Sequence, residues 1–147
     1  MNKKQLKLYA EHTHLDADRR LDVAILILLG ARALRYSEYG DPDRRDPRYI
    51  PSGKPWRTHR IDSQLVPCFS MHWYAAGELQ AELERRGYWL DVHTAWRPGE
   101  PCHASFDLFG TTDSNPLYTA SAPTVPGAIA RAAYHVLSGA AWEEGEG

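Results

Sequence analysis

The stretch from Ser70 to Phe109 constrains the fold most, because its hydrophobic period changes once from helical to alternating. Its first part predicts an amphipathic helix that begins with Ser70 as the capping residue and ends at Arg85-Arg86-Gly87. The apolar face of this helix is formed by Ala75, Ala76, Leu79 and Leu83. The second part predicts a strand whose faces are formed by Tyr88, Leu90, Val92 and Thr94 on one side and Trp89, Asp91 and His93 on the other. A helix that packs on the strand it leads into is the nucleus of a layered domain.

Ser70–Phe109 contains the two strands of a predicted β-hairpin, and the rest of the chain adds two helices and a third strand. A first helix is predicted from Thr13-His14-Leu15-Asp16 to Gly30, with Ala31–Tyr36 as an extension, and a last one from Thr124-Val125-Pro126. The predicted strands are Tyr88–Ala95, His103–Phe109 and Leu117–Ala122, with a turn at Arg97–Glu100. Short connections favour antiparallel pairing. We therefore expect an α+β fold, an antiparallel sheet of three to four strands packed with helices in an α/β/α-like sandwich.

Length and composition narrow the class of protein. The 147 residues fit a single domain, with its core at about 13–138, a long functional loop at 37–67 and a flexible tail at 140–147. The net charge of −2 predicts no general attraction to duplex nucleic acid. The apolar run Val23–Leu29 is too short to span a membrane, and Cys68 and Cys102 fit no disulfide framework. We expect a soluble protein with reduced thiols in the cytoplasm.

The segment from Ser37 to Pro67 differs from its surroundings. Five X-Pro steps punctuate it and disfavour regular helix, while Ile61–Val66 is compatible with a short strand. Four aromatic residues in and beside it (Tyr36, Tyr39, Tyr49 and Trp56) favour an ordered segment over a linker. A long ordered loop of this kind is commonly functional.

Several of these features together resemble a known family. They are the early helix with Leu21-Asp22-Val23-Ala24 that ends at Gly30, the Trp- and Pro-rich loop, and the strand start Gly87-Tyr88-Trp89. The closing segment, Ala122-Pro123-Thr124-Val125-Pro126 followed by Ala128-Ile129-Ala130-Arg131-Ala132-Ala133, is the most specific of them. The chain thus resembles the phage ABA sandwich domain family over about residues 16–137, and more weakly the NinX-type phage proteins. The resemblance implies a phage or prophage origin and an accessory, non-virion role. It implies no enzyme.

Three histidine-containing patterns are candidates for catalytic or metal sites, and none is complete. His12-Thr13-His14-Leu15-Asp16 resembles the start of a metallo-phosphodiesterase site, but Ala17 stands where a further His is required. His103-Ala104-Ser105-Phe106 matches one half of a two-histidine phosphoesterase, which needs a second copy on a facing strand. A zinc site would have to be assembled from Cys68, His72, His93, Cys102 and His103, which lack ligand-pair spacing. We therefore assign no catalytic residue, metal or cofactor.

The strongest candidate for a binding site is the loop with the helix start that follows it. Between Tyr36 and Arg60 there are six Lys or Arg against four Asp or Glu, a local excess of two positive charges. Guanidinium groups bind phosphate and aromatic rings stack on bases, while the free N–H groups of a helix start attract anions. The predicted ligand-binding residues are Arg44, Arg45, Arg48, Lys54, Trp56, Arg57, His59, Arg60, His72, Trp73 and Tyr74.

The leading hypothesis is a phage accessory protein that binds and sequesters a small phosphate-bearing nucleotide, such as a cyclic nucleotide or an ADP-ribose-derived immune signal, in the infected bacterial cytoplasm. The alternatives are a protein–protein inhibitor of a host defence complex and a histidine-dependent phosphodiesterase. The apolar first helix and the small-residue last helix predict homo-oligomer contacts.

Overall fold

The computed structural model describes residues 17–30, 32–34, 48–50, 64–109 and 118–143, and of residues 32–34, 48 and 50 it describes the backbone. The chain divides into two compact units, Met1–Pro67 with Gly145–Gly147, and Cys68–Glu144. We call them unit 1 and unit 2 and describe each by itself. The expectation of a single domain stays a prediction.

Unit 1 contains one described helix and a small antiparallel sheet. The helix is α1 (Ala17–Leu28), and it contacts the first strand. The sheet has the order β1-β2-β3, formed by β1 (Arg32–Leu34), β2 (Arg48–Ile50) and β3 (Gln64–Leu65). The Tyr49 hydroxyl lies 3.2 Å from Gln64 Oε1 across the last pair.

Helix α1 is buried on all sides, as its broad apolar surface predicts. Every residue from Leu21 to Ile27 is buried, including the carboxylate of Asp22. Arg19 Nη1 donates to Asp22 Oδ2 at 2.8 Å, and Arg19 Nη2 donates to Val66 O at 2.8 Å. The buried charge is therefore paired, which is the condition under which an ionised carboxylate tolerates burial.

Unit 2 consists of two helices and a three-stranded antiparallel meander. Its elements are α2 (Trp73–Arg85), β4 (Tyr88–His93), β5 (Cys102–Leu108), β6 (Tyr118–Ala122) and α3 (Val125–Ser138). Strand β5 is central, and pairs such as His93 with His103 and Cys102 with Ala122 fix the register. The hairpin between β4 and β5 turns at Gly99, whose φ of 87° favours glycine, and Glu100 N donates to Arg97 O at 3.1 Å.

Both helices of unit 2 contact each other and the sheet, so one face of the sheet is buried. Helix α3 contacts β5 and β6, and α2 contacts β4. Phe106 is fully buried at the centre of this core, beside Ala104 on the same strand. The helices contribute small and aliphatic buried side chains to this core, which are Ala75, Ala76, Leu79 and Leu83 on α2, and Val125, Ala128, Ile129, Ala132 and Ala133 on α3.

Three rings link β4, β6 and α3 in this core. The rings of Tyr88 and Tyr118 meet edge to face at 5.9 Å, and Tyr118 meets His135 at 5.1 Å. Burial, together with the neighbouring Tyr118, raises the pKa of the Tyr88 hydroxyl. Beyond α3, Trp142 packs edge-on against Tyr134 with ring centres 5.0 Å apart.

The structure confirms the predicted α+β class with an antiparallel meander. It also confirms the apolar face of α2, its end at Arg85-Arg86-Gly87, and the start of α3 at Thr124-Val125-Pro126. The alternation in β4 is confirmed, since Tyr88, Leu90 and Val92 are half-buried while Trp89, Asp91 and His93 are exposed.

Three local predictions are wrong or incomplete. Ser70 does not cap α2, because Met71 N and His72 N both donate to Cys68 O and this turn delays the helix start to Trp73. The first helix does not continue through Ala31–Tyr36: it ends at Leu28, Gly30 adopts a φ of 96°, and Arg32–Leu34 is a strand. The long loop contains the strand Arg48–Ile50, whereas the short strand expected within Ile61–Val66 is present as Gln64–Leu65.

Among the described residues, none of the helices has the length and apolar character that crossing a membrane requires.

Candidate functional site

The first turn of α2 carries exposed aromatic side chains. Trp73 is 67% exposed and Tyr74 is 81% exposed, and Met71 just before them is also exposed. Neighbouring helical positions point about 100° apart around the axis, so the two rings present separate faces rather than one stacked pair. Large exposed apolar groups that cluster in this way mark surfaces that bind something.

The backbone at this helix start is also open. His72 occupies the N-cap position with extended φ and ψ of −116° and 131°, and its side chain makes no capping hydrogen bond. The first intrahelical bond is donated by Ala76 N to His72 O at 3.0 Å, so the N–H groups before it have no acceptor within the helix. These groups and the helix dipole favour an anion at this end.

The predicted ligand-binding residues divide into two groups. His72, Trp73 and Tyr74 lie together at the start of α2. Arg48 lies on β2, where its backbone alone is described. The other seven lie outside the described residues: Arg44, Arg45, Lys54, Trp56, Arg57, His59 and Arg60. The meeting of this loop with the start of α2 therefore stays a prediction.

The face of the unit 2 sheet opposite the helices is open and polar. The register aligns its side chains in two rows, in which Asp91, Ser105 and Thr119 form the first. His93, His103 and Ser121 form the second row. Alternation along each strand places all six on the same face, because the residues between them point into the core. We call this surface the open face.

The open face forms a shallow groove rather than a flat surface. Its volume is about 530 Å³, which lies in the range of small-molecule sites. Asp91 is 49% exposed and His93 68% exposed, and His93 Nε2 lies 3.4 Å from Asp91 Oδ2. The residues that line it are Asp91, His93, His103, Ala104, Ser105, Thr119, Ala120 and Ser121.

A second concavity of about 280 Å³ adjoins the groove at the hairpin end of the sheet. His93 and His103 line both, so the two imidazoles form the boundary between them. Trp96 lines the second concavity and is 93% exposed, the largest exposed fraction of any large apolar side chain in the described residues. An indole held at the rim of a polar groove provides a surface for stacking.

The register changes how His103-Ala104-Ser105-Phe106 is interpreted. Sequence matching found no second motif of this kind, since His93-Thr94-Ala95 lacks the required third residue. The structure nevertheless places His93 directly opposite His103 on the paired strand, with both side chains exposed. Strand pairing therefore brings together two imidazoles that spacing along the chain did not connect.

In the described part of the chain, the residues of the possible zinc site do not come together. Cys102 is buried, and its Sγ lies 3.8 Å from Pro123 O, whereas His103 projects to the opposite, exposed face. Among the described residues, which include Cys68, His72 and His93, no three His, Cys, Asp or Glu side chains group in a way that can hold a metal. Adjacent strand residues face opposite ways, and this separates the proposed ligands.

The open face was missed as a site by sequence reasoning. Its signal was present, because the polar side of β4 was predicted to contain Asp91 and His93. Applying the same alternation to β5 and β6 would have added Ser105, Thr119 and Ser121. The missing information was the register, which decides which of these residues are neighbours.

Comparisons with known proteins bear on the fold. No protein-family model matches the sequence, and no curated protein matches it either. A solved structure similar to this chain is that of a phage protein from Bacillus cereus ATCC 14579, with 16% sequence identity and a TM-score of 0.53. The similarity covers 86% of this chain and 91% of that protein. At this identity the similarity shows the fold alone, and membership in the ABA sandwich family stays a prediction.

Proposed function

We propose that this chain is a phage-encoded accessory protein that binds and sequesters a small nucleotide-type ligand. The ligand class is a cyclic nucleotide or an ADP-ribose-derived signal, and its removal would counteract host defence in the cytoplasm of the infected bacterium. The phage origin is supported by the fold shared with a phage protein from Bacillus cereus. The binding function rests on the residues at the start of α2.

The observation that carries the proposal is the exposed pair Trp73 and Tyr74 beside a helix start without a side-chain cap. A nucleotide combines an aromatic base with an anionic phosphate. Stacking of one base on an aromatic side chain is worth about 1–3 kcal/mol, and the free N–H groups of the first turn can donate to phosphate oxygens. The two halves of the ligand thus have matching groups within one turn of helix.

The basic loop would complete this site. Its six Lys or Arg residues between Tyr36 and Arg60 are of the type that binds phosphate, and Trp56 adds another ring. In this proposal the loop supplies charge and α2 supplies aromatic surface. Homo-oligomer contacts through the first and last helices belong to the proposal as well, and a subunit count tests them.

The test is isothermal titration calorimetry with ADP-ribose and with a cyclic dinucleotide, followed by heat denaturation and mass spectrometry of the released ligand. We expect saturable binding of at least one probe and its recovery intact. Replacing Trp73 by Ala should weaken binding roughly tenfold, from the stacking energy of one base. The control is Phe109→Ala, which removes an exposed ring outside this site. Binding that survives both Trp73→Ala and Tyr74→Ala would contradict the site.

A protein–protein inhibitor is the second candidate, favoured by the same exposed side chains. Trp and Tyr are the residue types that dominate binding energy at protein interfaces, and Met71, Trp73 and Tyr74 are contiguous. This function predicts co-purification of one defined host defence protein without a bound nucleotide. Loss of that partner in Trp73→Ala, with no heat change on adding any nucleotide, would select it over sequestration.

The facing pair His93 and His103 favours a third candidate, a histidine-dependent phosphodiesterase. One imidazole would take a proton from the attacking oxygen, and the other would give a proton to the leaving oxygen. This function predicts that the probes above are recovered as cleaved products rather than intact. His103→Ala should then abolish cleavage, and unchanged product formation in that variant would exclude the pair.

A further inference from the structure

We infer that the open face is a second binding site, one that takes the vicinal diol of an uncharged ligand, either a sugar or the ribose of a nucleoside. The charges of the lining residues indicate this class of ligand. In the described part of the chain, neither the groove nor the concavity with Trp96 is lined by any Lys or Arg. The acidic residues that line these two concavities are Asp91 in the groove and Glu100 in the concavity with Trp96.

A phosphate is therefore poorly matched to this surface, and this counts against the phosphodiesterase candidate at His93 and His103, which would have to bind one in the same groove. Two carboxylates in or beside a site repel an anion, and among the described residues no lining side chain offers a permanent positive charge in return. The nearby Arg131, whose Nη1 donates to Ser121 O at 2.8 Å, lines a separate concavity and does not line the groove or the concavity with Trp96. The site thus differs in ligand class from the start of α2, where the helix end favours an anion.

The groups that are present match hydroxyls. A carboxylate accepts hydrogen bonds at about four positions, and Asp91, which lines the groove, uses one oxygen toward His93 and leaves the positions on its other oxygen for a ligand. Ser105, directly opposite Asp91, both donates and accepts, as does Thr119 beyond it. Two adjacent hydroxyls of a ligand can therefore be bound by one row of the open face.

Trp96 provides an aromatic surface for the part of the ligand that extends beyond the diol. Its indole is almost fully exposed at the rim and is therefore accessible to a ligand. The flat apolar face of an indole can pack on a sugar ring or stack on a nucleobase. A ligand whose diol lies over Asp91 and Ser105 can extend past His93 and His103 to this ring, because those two residues line both concavities.

This site does not depend on the nucleotide-binding proposal, because the ligands expected to bind it carry no phosphate. The experiment is a chemical-shift titration of the ¹⁵N-labelled protein with adenosine, 2′-deoxyadenosine, adenosine monophosphate and methyl α-glucopyranoside. We expect adenosine or the glucoside, or both, to shift amides of β4, β5 and β6. Adenosine should bind more tightly than 2′-deoxyadenosine, which lacks the diol, and more tightly than the monophosphate, which adds negative charge.

The relative affinities of adenosine and the glucoside tell a ribose site from a sugar site. Asp91→Asn should weaken binding roughly tenfold, as expected for loss of a charged hydrogen bond. Trp96→Ala should weaken it by a similar factor, from lost stacking. Phe109→Ala is the control, and circular dichroism checks that each variant is folded.

Three results would overturn the inference. They are no shift with either neutral probe, adenosine that binds but no more tightly than its deoxy form, and tighter binding of the monophosphate than of adenosine at the amides of β4, β5 and β6. The nucleotide proposal is judged separately by Trp73→Ala, so one can fail while the other stands.

Discussion

Helices α2 and α3 have similar lengths and lie against each other on the same sheet, yet their starts differ in almost every respect. Helix α3 begins with Thr124, whose hydroxyl accepts from Gly127 N at 3.2 Å, and its first six residues are buried. Helix α2 begins with His72, which makes no side-chain cap, and with Trp73 and Tyr74 exposed to solvent. One start is closed by the chain itself and the other is left open.

The difference indicates which surface of unit 2 stabilises the fold and which surface is available for binding. A capped, buried helix start contributes to stability, since its N–H groups and apolar side chains are satisfied inside the fold. An uncapped start with exposed rings contributes little stability and leaves its groups for a ligand or partner. Substitutions in α3 should therefore change the free energy of unfolding, and substitutions at the start of α2 should change binding.

The largest effect is expected from truncating a core residue of α3. Ile129 is 4% exposed, so Ile129→Ala leaves a cavity and should lower the free energy of unfolding by about 2–5 kcal/mol. Tyr74→Ala removes a larger side chain from α2 but should change it by less than about 0.5 kcal/mol, because that ring is exposed. Chemical denaturation followed by circular dichroism measures both. Similar losses of unfolding free energy in the two variants would contradict the difference between the two helix starts.

Replacing the glycine of each helix by alanine should change the free energy of unfolding in opposite directions. A Cβ on Gly127 of α3 would lie 3.1 Å from Ala122 Cβ and 3.1 Å from Thr124 Oγ1, so Gly127→Ala should cost about 1–3 kcal/mol through overpacking. A Cβ on Gly77 of α2 would meet nothing within 4 Å, so Gly77→Ala should gain up to about 1 kcal/mol from helix propensity. Thermal unfolding shows whether each variant is more or less stable than the wild-type protein. A stabilising Gly127→Ala would show that α3 does not approach β6 closely.

Removing the N-cap residue should cost more stability in α3 than in α2. Thr124→Ala removes the cap of α3 and should cost about 1 kcal/mol of unfolding free energy, whereas His72→Ala should cost almost nothing. His72→Asp should stabilise α2 by up to about 1 kcal/mol, because the extended backbone at this position suits a capping carboxylate. The added carboxylate would also occupy the anion position, so nucleotide binding should weaken in this variant. An equal cost for Thr124→Ala and His72→Ala would refute the distinction between the two starts.

The smallest effect concerns the far end of α2. Arg85 and Arg86 hydrogen-bond to Glu82 and hold the pKa of its carboxyl below the ordinary range. A lowered folded pKa means stability that is present above the unfolded pKa of about 4.3 and is lost as pH falls through the folded value. Because the pair is largely exposed, Glu82→Gln should cost less than about 1 kcal/mol at pH 7. That difference should shrink as pH falls below the unfolded pKa and vanish once the carboxyl is protonated in the folded protein, and a cost that does not change with pH would exclude the ion pairs as its source.

Periodicity predicted the helices and strands of unit 2 because their burial follows from the chain alone. The apolar positions of α2, the alternation in β4 and the Thr124 cap are local signals. The Ser70 cap failed since a turn around Cys68 O competes for the same N–H groups, a choice that depends on tertiary packing. The short strands Arg32–Leu34 and Arg48–Ile50 were missed for the same reason, because three-residue strands exist only through their pairing.

The candidate sites were only partly accessible from the sequence. Trp73 and Tyr74 were predicted correctly as neighbours of a helix start, but their exposure could not be read from a helical pattern. The open face depends on which residues of β4, β5 and β6 stand opposite one another. A shift of one residue would have turned Asp91 and His103 into the core, so register rather than composition creates that surface.

The most direct test of the open helix start is native mass spectrometry of the purified protein titrated with ADP-ribose and a cyclic dinucleotide. We expect the wild-type protein to retain one of these probes intact, and a variant with Trp73→Ala and Tyr74→Ala, folded by circular dichroism, not to retain it. The same spectra count subunits and so test the predicted homo-oligomer. Retention by both proteins, or by neither, would contradict a ligand-binding role for the start of α2.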